Sequence, residues 1–206
     1  MIDIREIRKE SDGVLRKIVE ILAVLRLSPN LLTWISFFAA IICGIFFYLG
    51  TSWYFLLSAL FFLMLSSVLD VLDGSLARMT NKASKRGDFL DHTLDRFSDV
   101  FILGGVVLGG HIDLLWGMIT IIVILLVSYL GVQAQALGVQ REYRGIVGRA
   151  YRLIFLIIAT LLTIFYGETL GLNPIKLDFL GWTMIFFLVA GIFTIIQRWF
   201  YTWKAL

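Results

Sequence analysis

Four aspartates at fixed spacing are the residues of this sequence best suited to chemistry. They form two pairs, Asp70 with Asp73 and Asp91 with Asp95, in segments that are otherwise strongly apolar. Residues three and four apart are neighbours on a helix, so each pair shares one helix face. Because carboxylates are costly at membrane depth, four of them at helical spacing indicate a site that uses their charge. Hard oxygen ligands without cysteine or histidine favour Mg²⁺, Mn²⁺ or Ca²⁺ over zinc.

The residues between the two pairs suit a phosphate ligand. Gly74 and Gly87 allow close approach of the backbone to a ligand, Ala77 permits close helix packing, and Arg78 is a planar donor for phosphate. Two metal ions roughly 4 Å apart would serve phosphoryl chemistry. The sequence therefore favours a metal-bound diphosphate over a bare cation. The connecting loop adds Ser84, Lys82, Lys85 and Arg86, and membrane topology alone could explain the lysines.

The elements that position these residues are predicted to be membrane-spanning helices. The chain has 206 residues, of which 59% are hydrophobic, and only two prolines, which excludes a disordered chain and argues against an ordinary soluble domain. A helix needs about 20 apolar residues to cross roughly 30 Å of hydrocarbon. The sequence predicts an all-α integral membrane protein with six transmembrane helices, near 31–50, 53–72, 89–108, 114–137, 152–167 and 179–202.

The basic residues predict the orientation of these helices. Of the 18 Lys and Arg residues, six precede residue 30, four lie in 78–86, four in 141–152 and two after residue 197. The opposite side has Lys176 alone, and Arg96 falls within the third helix. By the positive-inside rule, both termini and the connection between the aspartate pairs face the cytoplasm. The active site is therefore expected at the cytoplasmic side.

The N-terminal segment is predicted to lie on the membrane rather than cross it. On a helix, residues 12–27 would place apolar side chains on one face and charged side chains on the other, which is the pattern of an amphipathic interfacial helix. Ser28 and Pro29 suit the N-cap and first position of the first spanning helix. We divide the chain into an N-terminal cytoplasmic segment, 1–29, and a catalytic transmembrane domain, 30–206. The apolar face of the interfacial helix consists of Val14, Ile18, Ile21 and Leu25.

Two further features concern processing and redox chemistry. The first ten residues have mixed charges and no apolar stretch, so no signal peptide is expected and the chain is expected to begin at its mature start. Cys43 is the single cysteine, which excludes an internal disulfide or a cysteine-based metal site. It is interpreted as a packing residue.

Eight residues carry a resemblance to a known family. They match, position for position, the signature of the CDP-alcohol phosphotransferases, integral membrane enzymes that make phospholipid head groups. The motif Pro29-Asn30-x-x-Thr33 at the start of the first spanning helix also resembles this family. The matching residues are Asp70, Asp73, Gly74, Ala77, Arg78, Gly87, Asp91 and Asp95.

The resemblance implies an activity, cofactors and partners. A CDP-linked lipid donor would transfer its phosphate-linked alcohol to a small polar alcohol acceptor, with release of CMP. Two Mg²⁺ or Mn²⁺ ions per active site, a homodimer in the lipid bilayer and no nucleic-acid partner are expected. Asp95 would be the catalytic base on the acceptor hydroxyl. The implied metal ligands are Asp70, Asp73, Asp91 and Asp95, and the implied CDP-binding residues are Asp70, Asp73, Gly74, Ala77, Arg78, Ser84 and Gly87.

The acceptor is expected to be a phosphorylated polyol, such as an inositol phosphate. The segment 145–152 resembles that branch of the family, whereas Gly131 and Gln133 replace a lysine and an arginine of the branch. Glycerol phosphate, serine and another inositol phosphate lipid remain alternative acceptors. A cluster of arginines suits phosphate oxygens better than it suits a neutral acceptor. The expected acceptor-binding residues are Arg149, Arg152, Arg141 and Arg144.

Two other function classes and two structural alternatives stay open. A membrane prenyltransferase also binds a diphosphate through aspartates, although its motifs are usually separated by several helices. An ion transporter also buries carboxylates, but it needs a path to both leaflets. Gly105 and Gly109 could serve a dimer contact or internal helix packing. His92 and Asp99 could support the site or only pack between helices.

Overall fold

The chain folds into α-helices throughout the part that the computed structural model describes, residues 4–139, 148–167 and 177–206. There are seven helices and no strand in these ranges. Arg141 and Arg144 lie outside the described residues. The helices are α1 (Ile4–Val24), α2 (Pro29–Tyr48), α3 (Trp53–Met79), α4 (Lys85–Leu108), α5 (Leu114–Ala136), α6 (Arg149–Tyr166) and α7 (Phe179–Ala205).

Five of these helices, α2, α3, α5, α6 and α7, are long and apolar enough to cross a membrane. Helix α4 is 24 residues long, but charged side chains fill its first half, so its composition sets it apart from the other five. The prediction of an all-α chain with several membrane-length apolar helices is confirmed, with five candidate spans among the described residues. The exceptional helix is the one that contains Asp91 and Asp95.

The connection between α3 and α4 is shorter than the sequence indicated. The predicted spans 53–72 and 89–108 leave the basic stretch 74–88 between them, but α3 continues to Met79 and α4 begins at Lys85. Asn81, with a φ of 55°, turns the chain after α3. Ser84 then caps α4, since its hydroxyl accepts a hydrogen bond from the backbone N–H of Gly87 at 3.1 Å. The polar signature residues therefore lie on regular helix ends that are joined by only five residues, 80–84.

Helix α2 begins at its predicted capping residues, whereas α1 lies closer to the N-terminus than its predicted range. The Ser28 hydroxyl accepts from the Leu31 N–H at 3.2 Å, and Pro29 opens the helix, as predicted. Helix α1 begins and ends earlier than the predicted range 12–27. It packs Val19 against buried leucines of α2 and α3, and it leaves a second apolar stripe exposed. That stripe consists of Ile18, Ile21, Val24 and Leu25.

Glycines bring α4 against α2. A Cβ atom on Gly105 would lie 2.1 Å from the carbonyl oxygen of Gly44, and one on Gly109 would lie 2.1 Å from that of Phe47. Only glycine allows backbones to approach this closely. Gly105 and Gly109 therefore serve packing within the chain, which resolves the alternative left open above. Cys43 is fully buried in the core beside this contact, as its interpretation as a packing residue requires.

At the C-terminal end of α4 a buried, hydrogen-bonded pair of side chains closes the bundle. His111, in the turn before α5, donates from Nδ1 to the carboxylate of Asp178, and both residues are almost completely buried. The second oxygen of Asp178 accepts from the backbone N–H of Gly181 at 2.8 Å and so caps α7. We call this pair the His111–Asp178 clasp. It joins the turn between α4 and α5 to the start of α7.

Candidate active site

The most buried aspartate of the signature is held by α2. Asp73 is 5% exposed, and its Oδ2 accepts a hydrogen bond from the Thr33 hydroxyl at 2.7 Å. Thr33 is in the first turns of α2, where the Ser28 cap and Pro29 fix the backbone. One neutral donor orients the carboxylate without cancelling its charge. Asp73 therefore remains suited to a cation. Thr33 is a positioning contact whose only signal in the sequence is its place in the motif Pro29-Asn30-x-x-Thr33.

A cavity of about 190 Å³ opens where the start of α2, the end of α3 and the start of α4 meet. Six of the seven predicted CDP-binding residues line it; Asp70 does not. Asn30, Lys82 and Asp88 also line it, and the only sequence signal for them was their place in or beside the signature segments. The six predicted residues are Asp73, Gly74, Ala77, Arg78, Ser84 and Gly87.

Small residues and one arginine shape the wall of this cavity. A Cβ on Gly87 would lie 3.3 Å from Ser84 Oγ and 3.5 Å from Asn30 Oδ1, so glycine keeps the space between these polar atoms open. Arg78 extends along the wall, and its Nη2 donates to Ser75 Oγ at 3.2 Å. That neutral contact leaves other donors of the exposed guanidinium available to a ligand in the cavity. The cavity combines carboxylates for a cation with donors for phosphate oxygens.

Asp70 and Asp95 lie beside the cavity and share one partner. Arg149, the first residue of α6, places Nη1 at 2.7 Å from Asp70 Oδ1 and contacts Asp95 Oδ1. The guanidinium therefore ties α6 to both α3 and α4. The four aspartates are divided into two at the cavity wall, Asp73 and Asp91, and two that Arg149 bridges.

A second group of charged side chains, Arg96, Asp99 and Arg152, lies one helical turn further into the bundle. Arg152 is 3% exposed and donates from Nη2 to Asp99 Oδ2. Arg96 Nη1 lies 3.6 Å from the same Asp99 oxygen and also donates to Ser128 of α5. Arg152, expected to bind the acceptor, is thus placed in a buried pair with Asp99. The sequence offered no signal for this pairing, since the two residues are 53 positions apart.

The donor set fits a hard divalent cation. Among the buried and half-buried side chains described at this end, five carboxylates, Asp70, Asp73, Asp91, Asp95 and Asp99, accompany three guanidinium groups, so negative charge is in excess there. Buried charge of this kind needs a counterion. Oxygen ligands select Mg²⁺ or Mn²⁺. His92 joins Asp91 and Asp95 in a group whose ligand atoms lie within 4.8 Å of one another, and it is an additional candidate beside the four aspartates.

The match to a family model covers most of the chain. Residues 26–196 match the model of the CDP-alcohol phosphatidyltransferases. The matched region begins just before α2 and ends within α7, so it includes every residue of the cavity and of the Arg149 bridge.

Relatives and solved structures agree with this match. The chain is 38% identical over 156 residues to archaetidylinositol phosphate synthase of Pyrococcus horikoshii, covering 76% of this chain and 81% of the relative. It is 36% identical over 141 residues to the enzyme of the same name from Methanothermobacter thermautotrophicus, covering 68% and 67%. It is 29% identical to phosphatidylinositol phosphate synthase of Cutibacterium acnes, covering 90% of each chain.

The fold is shared with phosphatidylinositol phosphate synthase of Mycobacterium tuberculosis. The structure of that protein with CDP-DAG bound superposes with a TM-score of 0.76 at 23% identity, over 93% of this chain and 94% of the other. Its structure in complex with manganese and citrate gives a TM-score of 0.75 at 24% identity, over 92% and 88% of the two chains. At this level of identity the likeness shows the fold. Together with the match over residues 26–196, it establishes that the chain is a transferase of the CDP-alcohol phosphatidyltransferase family.

Proposed function

We propose that this protein transfers the lipid-linked phosphate group of a CDP-linked lipid to an inositol phosphate and releases CMP. The observation that carries the proposal is the adjacency of two sites. A cavity lined by the family signature lies beside a buried arginine, Arg149, at the start of α6. The first site suits a metal-bound diphosphate and the second suits the phosphate of an acceptor. Relatives that are named as inositol phosphate lipid synthases support this choice of acceptor.

The donor is held at the cavity by opposite charges. Asp70, Asp73, Asp91 and Asp95 would hold two Mg²⁺ or Mn²⁺ ions, with His92 as a further candidate ligand. When bound, these ions would stabilise the negative charge that develops on the departing CMP. Arg78 supplies donors for the remaining phosphate oxygens. Gly74, Ala77 and Gly87 leave room for the nucleotide, because no side chain beyond a methyl group projects from these positions.

The acceptor reaches the donor from the side of α6. Arg149 is the described arginine that stands next to both aspartate pairs, so it is the proposed ligand of the acceptor phosphate. Arg141 and Arg144 remain predicted ligands. Arg152 is buried with Asp99 and is proposed to hold α6 in place. Asp95 takes the proton of the acceptor hydroxyl as the acceptor oxygen bonds to the donor phosphorus and the bond from phosphorus to CMP breaks.

The same proposal includes the membrane arrangement. Helix α4 buries Ile102 and Val106 in the core and packs directly on α2, as a sixth spanning helix would. With α4 as a span, the catalytic domain is 30–206 and the site faces the cytoplasm. The exposed apolar stripe of α1 would then rest on the membrane surface as part of the segment 1–29. A homodimer is also proposed; it needs a face other than Gly105 and Gly109, which are already in use within the chain.

The experiment that tests the proposal is an acceptor panel. Purified protein is incubated with a CDP-linked lipid, Mg²⁺ or Mn²⁺, and inositol phosphate, glycerol phosphate, serine or unphosphorylated inositol, and CMP release is measured. We expect inositol phosphate to give the highest kcat/KM and EDTA to abolish turnover. A higher kcat/KM with serine or unphosphorylated inositol would overturn the proposed acceptor. Full turnover in EDTA would overturn the metal assignment.

A further inference from the structure

The packed side of α1 contacts the helix segments that form the cavity. Val19 is only 2% exposed and packs with Leu32 of α2 and with Leu72 and Leu76 of α3. Adjacent residues of one helix move together, because hydrogen bonds fix the backbone that joins them. A shift of α1 is therefore passed to the cavity wall. The three leucines immediately precede three residues of that wall, Thr33, Asp73 and Ala77.

A closed turn connects α1 to the start of α2. The backbone N–H of Leu27 donates to the Leu22 carbonyl at 3.2 Å, and that of Arg26 donates to the Ala23 carbonyl at 3.0 Å. With Arg26 at a φ of 56°, these two bonds form a Schellman motif, which ends a helix in a fixed conformation. The next residue after Leu27 is Ser28, the N-cap of α2. The first turn of α2, which forms part of the cavity wall, therefore follows the orientation of α1.

The outward side of α1 is apolar and lies close to a membrane-spanning helix. Its exposed stripe, defined above, includes Ile21 and Val24, which are 59% and 81% exposed. Helix α2, which is long and apolar enough to cross a membrane, begins at Pro29, directly after the turn that ends α1. The bilayer surface is thus within reach of the stripe, and burial there would remove its apolar side chains from water.

The charges beside the stripe favour an anionic lipid surface. Lys17 is exposed and borders the stripe, because it lies one helical turn before Ile21. Arg26 is also exposed and follows the stripe directly. Arg16 and Glu20 pair with each other at 3.1 Å, so their charges cancel and the surface keeps a positive charge. Apolar stripes with basic borders bind anionic headgroups more tightly than zwitterionic ones.

We propose that α1 is a sensor of anionic lipid that tunes the affinity of the cavity for CDP. Anionic headgroups bind the stripe and its basic border and hold α1 in the position described here, with Val19 packed and the first turn of α2 aligned. CDP binds best in this arrangement, because Asn30 and Thr33 then form the cavity wall. Lipid and CDP favour the same position of α1, so each raises the affinity for the other. The inference rests on the proposed function for the identity of the nucleotide.

The sensor is tested by CDP binding to the whole chain in lipid nanodiscs. The dissociation constant of CDP is measured by calorimetric titration at saturating Mg²⁺, in discs of phosphatidylcholine alone and in discs that also contain phosphatidylglycerol. We expect phosphatidylglycerol to tighten CDP binding by about 5-fold or more, as is usual for coupling between two sites. An affinity that does not depend on the lipid would overturn the sensor.

Three variants separate transmission through α1 from the general effect of a charged membrane, which would act on all of them equally. Val19→Ala loosens the contact with the cavity leucines and should reduce the lipid effect to less than about 2-fold. Lys17→Gln should weaken the lipid effect, since each basic residue near an anionic surface contributes about 5-fold in affinity. Lys204→Gln, at the end of α7, is the matched control and should retain the wild-type effect.

Either α1 variant can contradict the sensor. A wild-type lipid effect in Val19→Ala or in Lys17→Gln would overturn it. Lys17 is exposed, so its variant keeps the fold and decides the question even if Val19→Ala proves unstable.

A fluorescent label on the stripe gives a second readout. Ile21→Cys is labelled with an environment-sensitive dye, and Cys43 is fully buried and does not compete for the label. Phosphatidylglycerol should shift the dye emission to shorter wavelength, and CDP should increase this shift, as reciprocal coupling requires. Emission that differs between discs with one and two chains, but not between lipids, would assign the stripe to a second copy of the chain and overturn the sensor.

The outcomes distinguish the sensor from the proposed function. If CDP binds equally in both membranes and inositol phosphate is the best acceptor, the sensor fails and the proposed function stands. If CDP affinity depends on lipid through α1 but serine is the best acceptor, the sensor stands and the proposed acceptor fails. If CDP binds in neither membrane, both fail.

Discussion

The two ends of α4 both bury charged side chains, but they balance them differently. At the His111–Asp178 clasp, one carboxylate is used completely, by an imidazole through one oxygen and by the Gly181 N–H through the other. At the aspartate end, buried and half-buried carboxylates outnumber guanidinium groups, and two of these carboxylates, Asp73 and Asp91, line a cavity. Burial of charge therefore does not by itself mark a functional site. An excess of one sign beside an open cavity does, because it calls for a ligand of the opposite sign.

The largest effect is expected when the excess charge is reduced at the cavity. Asp91→Asn removes one carboxylate and should lower the rate of CMP release by at least about 100-fold, since even residues that only support metal ligands cost 10–100-fold when changed. Asp113→Asn is the matched control. Asp113 caps α5 away from the cavity, and asparagine caps helices equally well, so turnover should be unchanged. Near-normal turnover of Asp91→Asn would place the metal elsewhere.

A more selective loss, of turnover rather than of donor binding, is expected from Asp95, the catalytic carboxylate that Arg149 bridges. Asp95→Asn should lower kcat by about 10²- to 10⁴-fold through loss of the base, while affinity for CDP falls less. The two quantities are measured by CMP release and by calorimetric titration with CDP. Equal losses in kcat and in CDP affinity would assign Asp95 to metal binding rather than to proton transfer.

The glycine contact between α2 and α4 connects the two ends, so its disruption should affect both. Gly105→Ala places a methyl group 2.1 Å from the Gly44 carbonyl oxygen and forces the helices apart. We expect a loss of about 1–3 kcal/mol in stability and a several-fold fall in kcat/KM. Gly104→Ala is the matched control, because a Cβ at position 104 meets nothing within 4 Å. Thermal unfolding in detergent and CMP release measure the two effects.

The clasp should affect stability and leave catalysis unchanged. His111→Ala leaves the buried Asp178 carboxylate without its imidazole partner and should destabilise the protein by about 3–5 kcal/mol, as loss of one partner from a buried pair does. At temperatures below unfolding, KM and kcat should equal those of the wild type. A change in KM for either substrate would show that the two ends of α4 are coupled, and would contradict a purely structural role for the clasp.

Local patterns in the sequence predicted the helices and the donor side of the site. The apolar windows located six of the seven helices, and the signature spacing predicted six residues of the cavity wall, because both depend on neighbours within one or two turns. Helix ends within 74–88 were missed, since charged residues end an apolar window, although α3 runs on to Met79 and α4 begins directly after its N-cap, Ser84. The Asp99–Arg152 and His111–Asp178 pairs join residues 53 and 67 positions apart, and no local pattern encodes such contacts.

The tight packing of α2 with α3 and α4 also bears on how enzymes of this kind can diversify. The donor cavity is built within the first half of the chain, from helices that a five-residue connection and glycine contacts hold together. Arg149 comes from the second half, beyond residue 139. The proposed function therefore assigns nucleotide recognition and acceptor choice to separate stretches of the gene. Recombination near the turn at Gly110 could therefore give an enzyme specificity for a new acceptor, and so a new head group in its lipid product, while its nucleotide pocket stays intact.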